Sequence, residues 1–233
     1  MKQKSDKKKL QEGRCLGEGS EYIGFIKANE AKSTGTATEI YDPIENRTVD
    51  VLSMGEQEYF WIMRYQDDVQ TIREQMRLDK DIVKEVCQQR GFKPPTKILS
   101  TDFRISFANG RELACSVKAS RKEFDSSRVQ KEKYEKLLIR QTIEQEYWKK
   151  FGIEFQIVFR DELNHVLAKN IETCMRFYKP EMVTGIEAQL KYLLAHKVLS
   201  IPMDREILRF SKLVNGKENE IAELYRGYRY GIE

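Results

Sequence analysis

Asp102 and Lys118 stand at the open end of a predicted hairpin, ILSTDFRISFANGRELACSVKAS, running from Ile98 to Ser120. A carboxylate is a hard oxygen ligand for a cation such as Mg2+, and a lysine beside it can orient water or offset developing negative charge. With a divalent ion to neutralise phosphate and generate hydroxide near neutral pH, such a pair suits phosphodiester hydrolysis. An exposed hairpin with a solvated acid and lysine has the same spacing, so spacing alone does not decide between the two.

The elements that would position the pair follow from hydrophobic period. Phe103, Ile105 and Phe107 alternate with Asp102, Arg104 and Ser106, while Leu113, Cys115 and Val117 alternate with Glu112, Ala114, Ser116 and Lys118. That is the period of half-buried strands, with Asn109-Gly110 marking the turn. A two-residue loop would set Phe103 opposite Ser116. A three-residue loop, Ala108 to Gly110 with Gly110 left-handed, sets Phe107 opposite Arg111, Ile105 opposite Leu113 and Phe103 opposite Cys115. The second register gathers the apolar side chains on one face and puts Asp102 opposite Ser116, so it is the one expected. Upstream, Ser53 with Glu56 three residues on forms a capping-box pattern and opens a helix to about Tyr65, with Tyr59, Phe60 and Met63 as its buried stripe.

VQTIREQMRLD is a strand candidate. A second helix, about Asp81 to Arg90, stops at Gly91 before Pro94-Pro95. After the hairpin come a long charged helix from about Ser126 to Phe151 and a strand in GIEFQIVFRDEL. Three helices follow, in NHVLAKNIETCMRFY, MVTGIEAQLKYLLAH and DREILRFSKLV. Residues 1–20, Lys- and Gly-rich, are expected to be poorly ordered until they dock, and residues 21–52 to be loop and short strands.

The 233 residues are 40% hydrophobic and 33% charged, enough for a real core and, by length, two domains. The boundary is expected near SRKEFDSSR, giving a mixed α/β part over 1–125 and a mainly helical part over 126–233. A net charge of +4 is compatible with nucleic acid without establishing it. No apolar run reaches membrane-spanning length, and the basic KQKSDKKK start is followed by no apolar signal core. The four scattered cysteines and the two histidines, His165 and His196, lack metal-ligand spacing, so reduced thiols and no zinc site are expected. GEGS, from Gly17 to Ser20, is too short for a phosphate loop.

An acid on a helix, an acid opening a strand and a lysine on the next strand is the layout of restriction-like PD-(D/E)xK nucleases, and Glu56, Asp102 and Lys118 fill those places. Several further motifs occur in order: Ser-x-x-Glu at Ser53 to Glu56, an acidic-aromatic step and valine from Tyr65 to Val69, Ile-Arg-Glu-Gln from Ile72 to Gln75, Ser-Thr-Asp-Phe from Ser100 to Phe103, Val117-Lys118, and Glu-x-x-Tyr-Trp from Glu144 to Trp148 followed by Gly152-Ile153. In this order they resemble the TnsA family, the endonuclease subunits of heteromeric cut-and-paste transposases. The resemblance covers about residues 30–165, and the last 70 residues only in helical pattern.

The resemblance implies a restriction-endonuclease-like N-terminal domain, with a mixed sheet flanked by helices, and a winged-helix-like C-terminal domain that engages partners. Glu56 and Asp102 become metal-binding carboxylates, the Val117 carbonyl a further ligand, and Lys118 the catalytic lysine, with Mg2+ as cofactor and Mn2+ as substitute. It implies a Mg-dependent endodeoxyribonuclease cutting the 5′ ends of a transposon. A TnsB-like DDE transposase would cut the 3′ ends, a TnsC-like ATP-dependent regulator would dock, and the setting would be the bacterial cytoplasm. One position departs: two residues before the lysine the nuclease pattern has Glu or Asp, and the family commonly Gln, where this chain has Ser116. A hydroxyl is a shorter, neutral ligand, so weaker metal affinity without DNA is expected.

Arg73 and Gln75 are candidates to touch DNA phosphate or to support the metal ligands, and Arg121 and Lys122 to grip the backbone near the cut. Glu58, about 200° round the helix from Glu56, is expected to be solvated. His165 is read as a surface or cap residue, and Tyr147 with Trp148 as interface core. The rival readings are a standalone restriction-like or repair nuclease and a catalytically dead nuclease fold that binds DNA or protein.

Overall fold

The computed structural model describes residues 4–31 and 36–231. The first residues of the basic N-terminal run and KSTG of the 32–42 stretch lie outside the described residues. In chain order the main elements are helix α1 (Asp6–Gln11), strands β1 (Thr38–Asp42) and β2 (Arg47–Val51), helix α2 (Met54–Arg64), strand β3 (Val69–Arg77), helix α3 (Lys80–Arg90), strands β4 (Ser100–Phe107) and β5 (Glu112–Lys118), helix α4 (Lys131–Lys149) and strand β6 (Glu154–Phe159). Helices α5 (His165–Met175), α6 (Ile186–Ala195), α7 (Phe210–Val214) and α8 (Glu218–Tyr230) follow.

The sheet has the order β3-β4-β5-β6. The first two pairings are antiparallel, and β6 runs parallel to β5. A parallel neighbour needs a long crossover, which α4 supplies. The hairpin has the three-residue register: Phe103 faces Cys115 and Ile105 faces Leu113. The Phe107 N–H donates to the Arg111 carbonyl at 2.9 Å, and Gly110 is left-handed at φ 80°. Ile72, Phe103, Ile105, Leu113, Cys115 and Val117 bury one face under Tyr59, Phe60 and Met63 of α2. On the other side Leu78 and Ala114 pack with Val83 and Val86 of α3 and with Ile143, Tyr147 and Trp148 of α4. Trp148 Nε1 donates to Thr101 Oγ1 at 2.8 Å, so these aromatics hold α4 to the sheet.

The mixed α/β architecture is therefore as expected, but three expectations change. First, β6 lies beyond residue 125 and completes the sheet, so a boundary at 125/126 cuts through a hydrogen-bonded layer. Pairing supports a division after β6, and even there one apolar core continues from α2 into Ile171, Leu193, Ile221 and Tyr225 of the C-terminal helices.

Second, the N-terminal segment is built into the fold. Arg14 is buried and forms a fork–fork pair with Glu30 at 2.6 and 2.7 Å, and Cys15, Tyr22 and Phe25 form a small core. Opposite charges sixteen residues apart cancel, which allows a basic stretch to be buried.

Third, the C-terminal helices differ in extent. α7 starts only at Phe210, because Asn170 engages the preceding backbone: its Nδ2 donates to the Met203 and Glu206 carbonyls at 2.8 Å each, and its Oδ1 accepts from the Leu208 N–H at 3.0 Å. α8 was not expected; Ile221 and Tyr225, four residues apart, bury its inner stripe. No strand follows β6 among the described residues, so the wing of a winged helix has no counterpart there.

Candidate active site

Glu56 sits in the first turn of α2 because Ser53 caps that helix. Ser53 Oγ accepts from the Glu56 N–H at 3.1 Å, and the Glu56 carboxylate reaches back to Ser53 Oγ and to the Leu52 N–H, both at 3.0 Å. The helix end lies close on β5: a Cβ on Gly55 would stand 3.1 Å from both Val117 Cγ1 and Arg160 Cβ. That approach puts Glu56, only 5% exposed, over the end of the hairpin.

Asp102 and Lys118 meet where the register predicted. Asp102 Oδ2 accepts from the Val117 N–H at 2.7 Å and from Ser116 Oγ at 3.3 Å, and lies 3.8 Å from Lys118 Nζ. Lys118 Nζ donates to Ser116 Oγ at 2.6 Å and to the Val117 carbonyl at 3.1 Å. The buried Ser116 thus bridges acid and lysine. A cleft of about 380 Å³ is lined by Glu56, Asp102, Val117, Lys118, Glu123 and Arg160. Burial first, and then the charge of Asp102, push the Glu56 carboxyl well above the usual range, to about 8.

The donors here are carboxylate, carbonyl and hydroxyl oxygens, a set that suits Mg2+ or Mn2+ and not softer ions. Asp102 Oδ1 takes no hydrogen bond among the described residues, while Ser116 Oγ is already committed to its two neighbours and does not line the cleft. No group of three or more His, Cys, Asp or Glu side chains forms among the described residues, so any cation here would rest on two carboxylates and main-chain oxygen. The Asp102 charge that raises the proton affinity of Glu56 is what a divalent cation would relieve.

Other candidates fall elsewhere. Gln75 is not on a DNA-facing surface: it is 1% exposed, and its amide donates to Glu56 Oε2 at 3.1 Å. Arg73 is away from the cleft, paired with Glu18 at 3.2 Å and lying over the Tyr22 ring. Arg121 pairs with Glu162 and covers the Phe159 ring, and Lys122, exposed beside it, has no ion pair among the described residues. Glu58 is not solvated. It grips Arg160 through two bonds of 2.9 Å and His165 Nδ1 at 2.8 Å, tying α2 to the start of α5. Arg160, which lines the cleft, was missed by sequence reasoning, since an arginine after a strand carries no local signal.

Residues 66–159 match the family model described as the TnsA-like endonuclease N terminal, a span that holds Asp102 to Lys118 and begins after Glu56. The chain is 28% identical over 215 residues to the transposon Tn7 transposition protein TnsA of Escherichia coli, covering 89% of this chain and 75% of that protein. The chain is thus similar to TnsA-like endonucleases over the span that carries Asp102 and Lys118, and to TnsA over most of its length.

Proposed function

We infer that the chain is a Mg2+-dependent DNA endonuclease subunit of a transposase, hydrolysing the phosphodiester at the 5′ ends of a transposon during cut-and-paste transposition. The observation that carries this reading is the convergence of Glu56, Asp102 and Lys118, from α2, β4 and β5, in one cleft. Glu56, Asp102 and the Val117 carbonyl would hold the ion. Bound there, Mg2+ would offset phosphate charge and make water more acidic. Lys118, fixed by Ser116 and Val117, presents an ammonium to a phosphate oxygen or to the attacking water. Arg121 and Lys122, in the turn between the cleft-lining Ala119 and Glu123, would contact phosphate, and Ser116 would act by holding Lys118 against Asp102.

A TnsB-like DDE transposase would cut the 3′ ends, and a TnsC-like ATP-dependent regulator would engage the C-terminal helices. Base recognition would come from such partners, because the described surface offers no base-reading helix of concentrated positive charge.

The test compares wild type, Asp102→Ala and Lys118→Ala, by Mn2+ calorimetry and by nicking of transposon-end DNA with the partner subunits. Asp102→Ala should lose both the metal and cleavage. Lys118→Ala should keep the metal and lose on the order of 10²-fold or more in cleavage rate. Transposition at the wild-type level by both variants would leave only a scaffolding role.

A further inference from the structure

Gln75, buried beneath the cleft, touches the proposed metal ligand Glu56 without being a ligand itself. Its Nε2 donates to Glu56 Oε2 at 3.1 Å, and its Oε1 accepts from Ser100 Oγ at 3.1 Å. The amide therefore joins the carboxylate on α2 to the start of β4, two residues before Asp102. A carboxamide can donate to one partner while accepting from the other across this span. A Glu in its place would set a second negative charge against Glu56, and a Met would fill the space with neither bond.

The backbone at Gln75 is unusual as well. Its φ is +46°, inside a strand, where a residue with a Cβ is strained. The N-terminal segment holds it there. The Phe25 N–H donates to the Gln75 carbonyl at 3.0 Å, Cys15 Sγ lies 3.6 Å from the same oxygen, and the Tyr22 hydroxyl donates to the neighbouring Glu74 carbonyl at 2.8 Å. A Cβ on Gly24 would come within 3.1 Å of the Glu74 carbonyl and 3.3 Å of Gln75 Cβ, so this approach needs the glycine. Glu74 and Gln75, adjacent in β3, are both buried.

We propose that Gln75 is a positioning residue that fixes the Glu56 carboxylate relative to Asp102, and that residues 15–25 act as the brace keeping Gln75 in its left-handed conformation. The inference rests on the metal site proposed above. Partners that orient a metal ligand typically contribute 10- to 100-fold in affinity.

The experiment titrates Mn2+ into the full chain, alone and with a duplex oligonucleotide, for wild type, Gln75→Met, Ser100→Ala and Asp102→Ala, with melting temperatures of the metal-free proteins alongside. Gln75→Met should keep a melting temperature within a few degrees of wild type yet bind Mn2+ about 10- to 100-fold more weakly. Its cleavage should recover toward the wild-type plateau at high Mn2+, because the ligands themselves remain. If Gln75→Met does not fold, Ser100→Ala, which only frees the amide, carries the same expectation with a smaller shift. Unchanged Mn2+ affinity in Gln75→Met or in folded Ser100→Ala, with binding lost in Asp102→Ala, would overturn the positioning role and leave the metal site standing. No Mn2+ binding by wild type, even with DNA, would overturn both.

Discussion

Glu56 is a buried carboxylate facing a second one, and the folded protein must accommodate that charge. Its folded-state proton affinity is raised, to about 8, so the metal-free native state binds a proton that the unfolded chain releases above about pH 4.3. The stabilising share is fully present below that value and is lost as pH rises toward 8. Thermal melts in the presence of a chelator should show stability falling across that window, with a flatter profile for Glu56→Gln. Glu74, pushed up to about 7 by burial, keeps its own slope in that variant. Identical pH profiles for the two proteins would mean Glu56 is charged in the fold without metal. At Ser116 the loss is geometric: Ser116→Ala removes the bridge between Asp102 and Lys118. Cleavage should fall about fivefold, as for one hydrogen bond of about 1 kcal/mol, with little change in melting temperature. A rate equal to wild type would show that Lys118 is held without the bridge.

The elements that bring Glu56, Asp102 and Lys118 together obey local rules, and for that reason they were largely legible. The hairpin register follows from which alternation buries Phe103, Ile105 and Leu113, and the helix start from a serine followed at the third place by a glutamate. Ser53→Ala should cost about 1 kcal/mol as a lost cap, read by chemical denaturation, and should also loosen Glu56, whose Oε1 it holds. A stability equal to wild type would mean the cap is supplied otherwise. What was not legible depends on distant partners. The sequence reads Gln75 as a candidate to touch DNA phosphate or to support the metal ligands, but nothing in IREQ announces a left-handed conformation held by Phe25 fifty residues earlier. Glu58 reads as solvated because its partners, Arg160 and His165, are more than a hundred residues away. α7 reads as longer than it is because Asn170 competes for the backbone before it. α8 hides because its buried stripe is only Ile221 and Tyr225 amid charges.

At the scale of the whole molecule, the sheet and the C-terminal helices share one core. α2 lies on the sheet with its inner stripe, while its other side chains reach the C-terminal helices: Glu58 to His165, and the Tyr65 hydroxyl to the Leu194 carbonyl at 2.8 Å. Calorimetry should therefore give one unfolding transition, with calorimetric and van't Hoff enthalpies equal; two separated transitions would mean that residues 1–163 and the helices fold independently. No helix among the described residues is long and apolar enough to cross a membrane, and α5–α8 instead bury their apolar stripes against α2 and one another.

That shared helix limits how the chain can be recombined. A hybrid joined to a relative's helical half after β6 would place a foreign α5 and α6 against Glu58 and Tyr65, whose partners here are His165 and the Leu194 carbonyl. The exchangeable cassette is then not the C-terminal half alone but that half together with the outer face of α2, the same helix whose first turn carries Glu56.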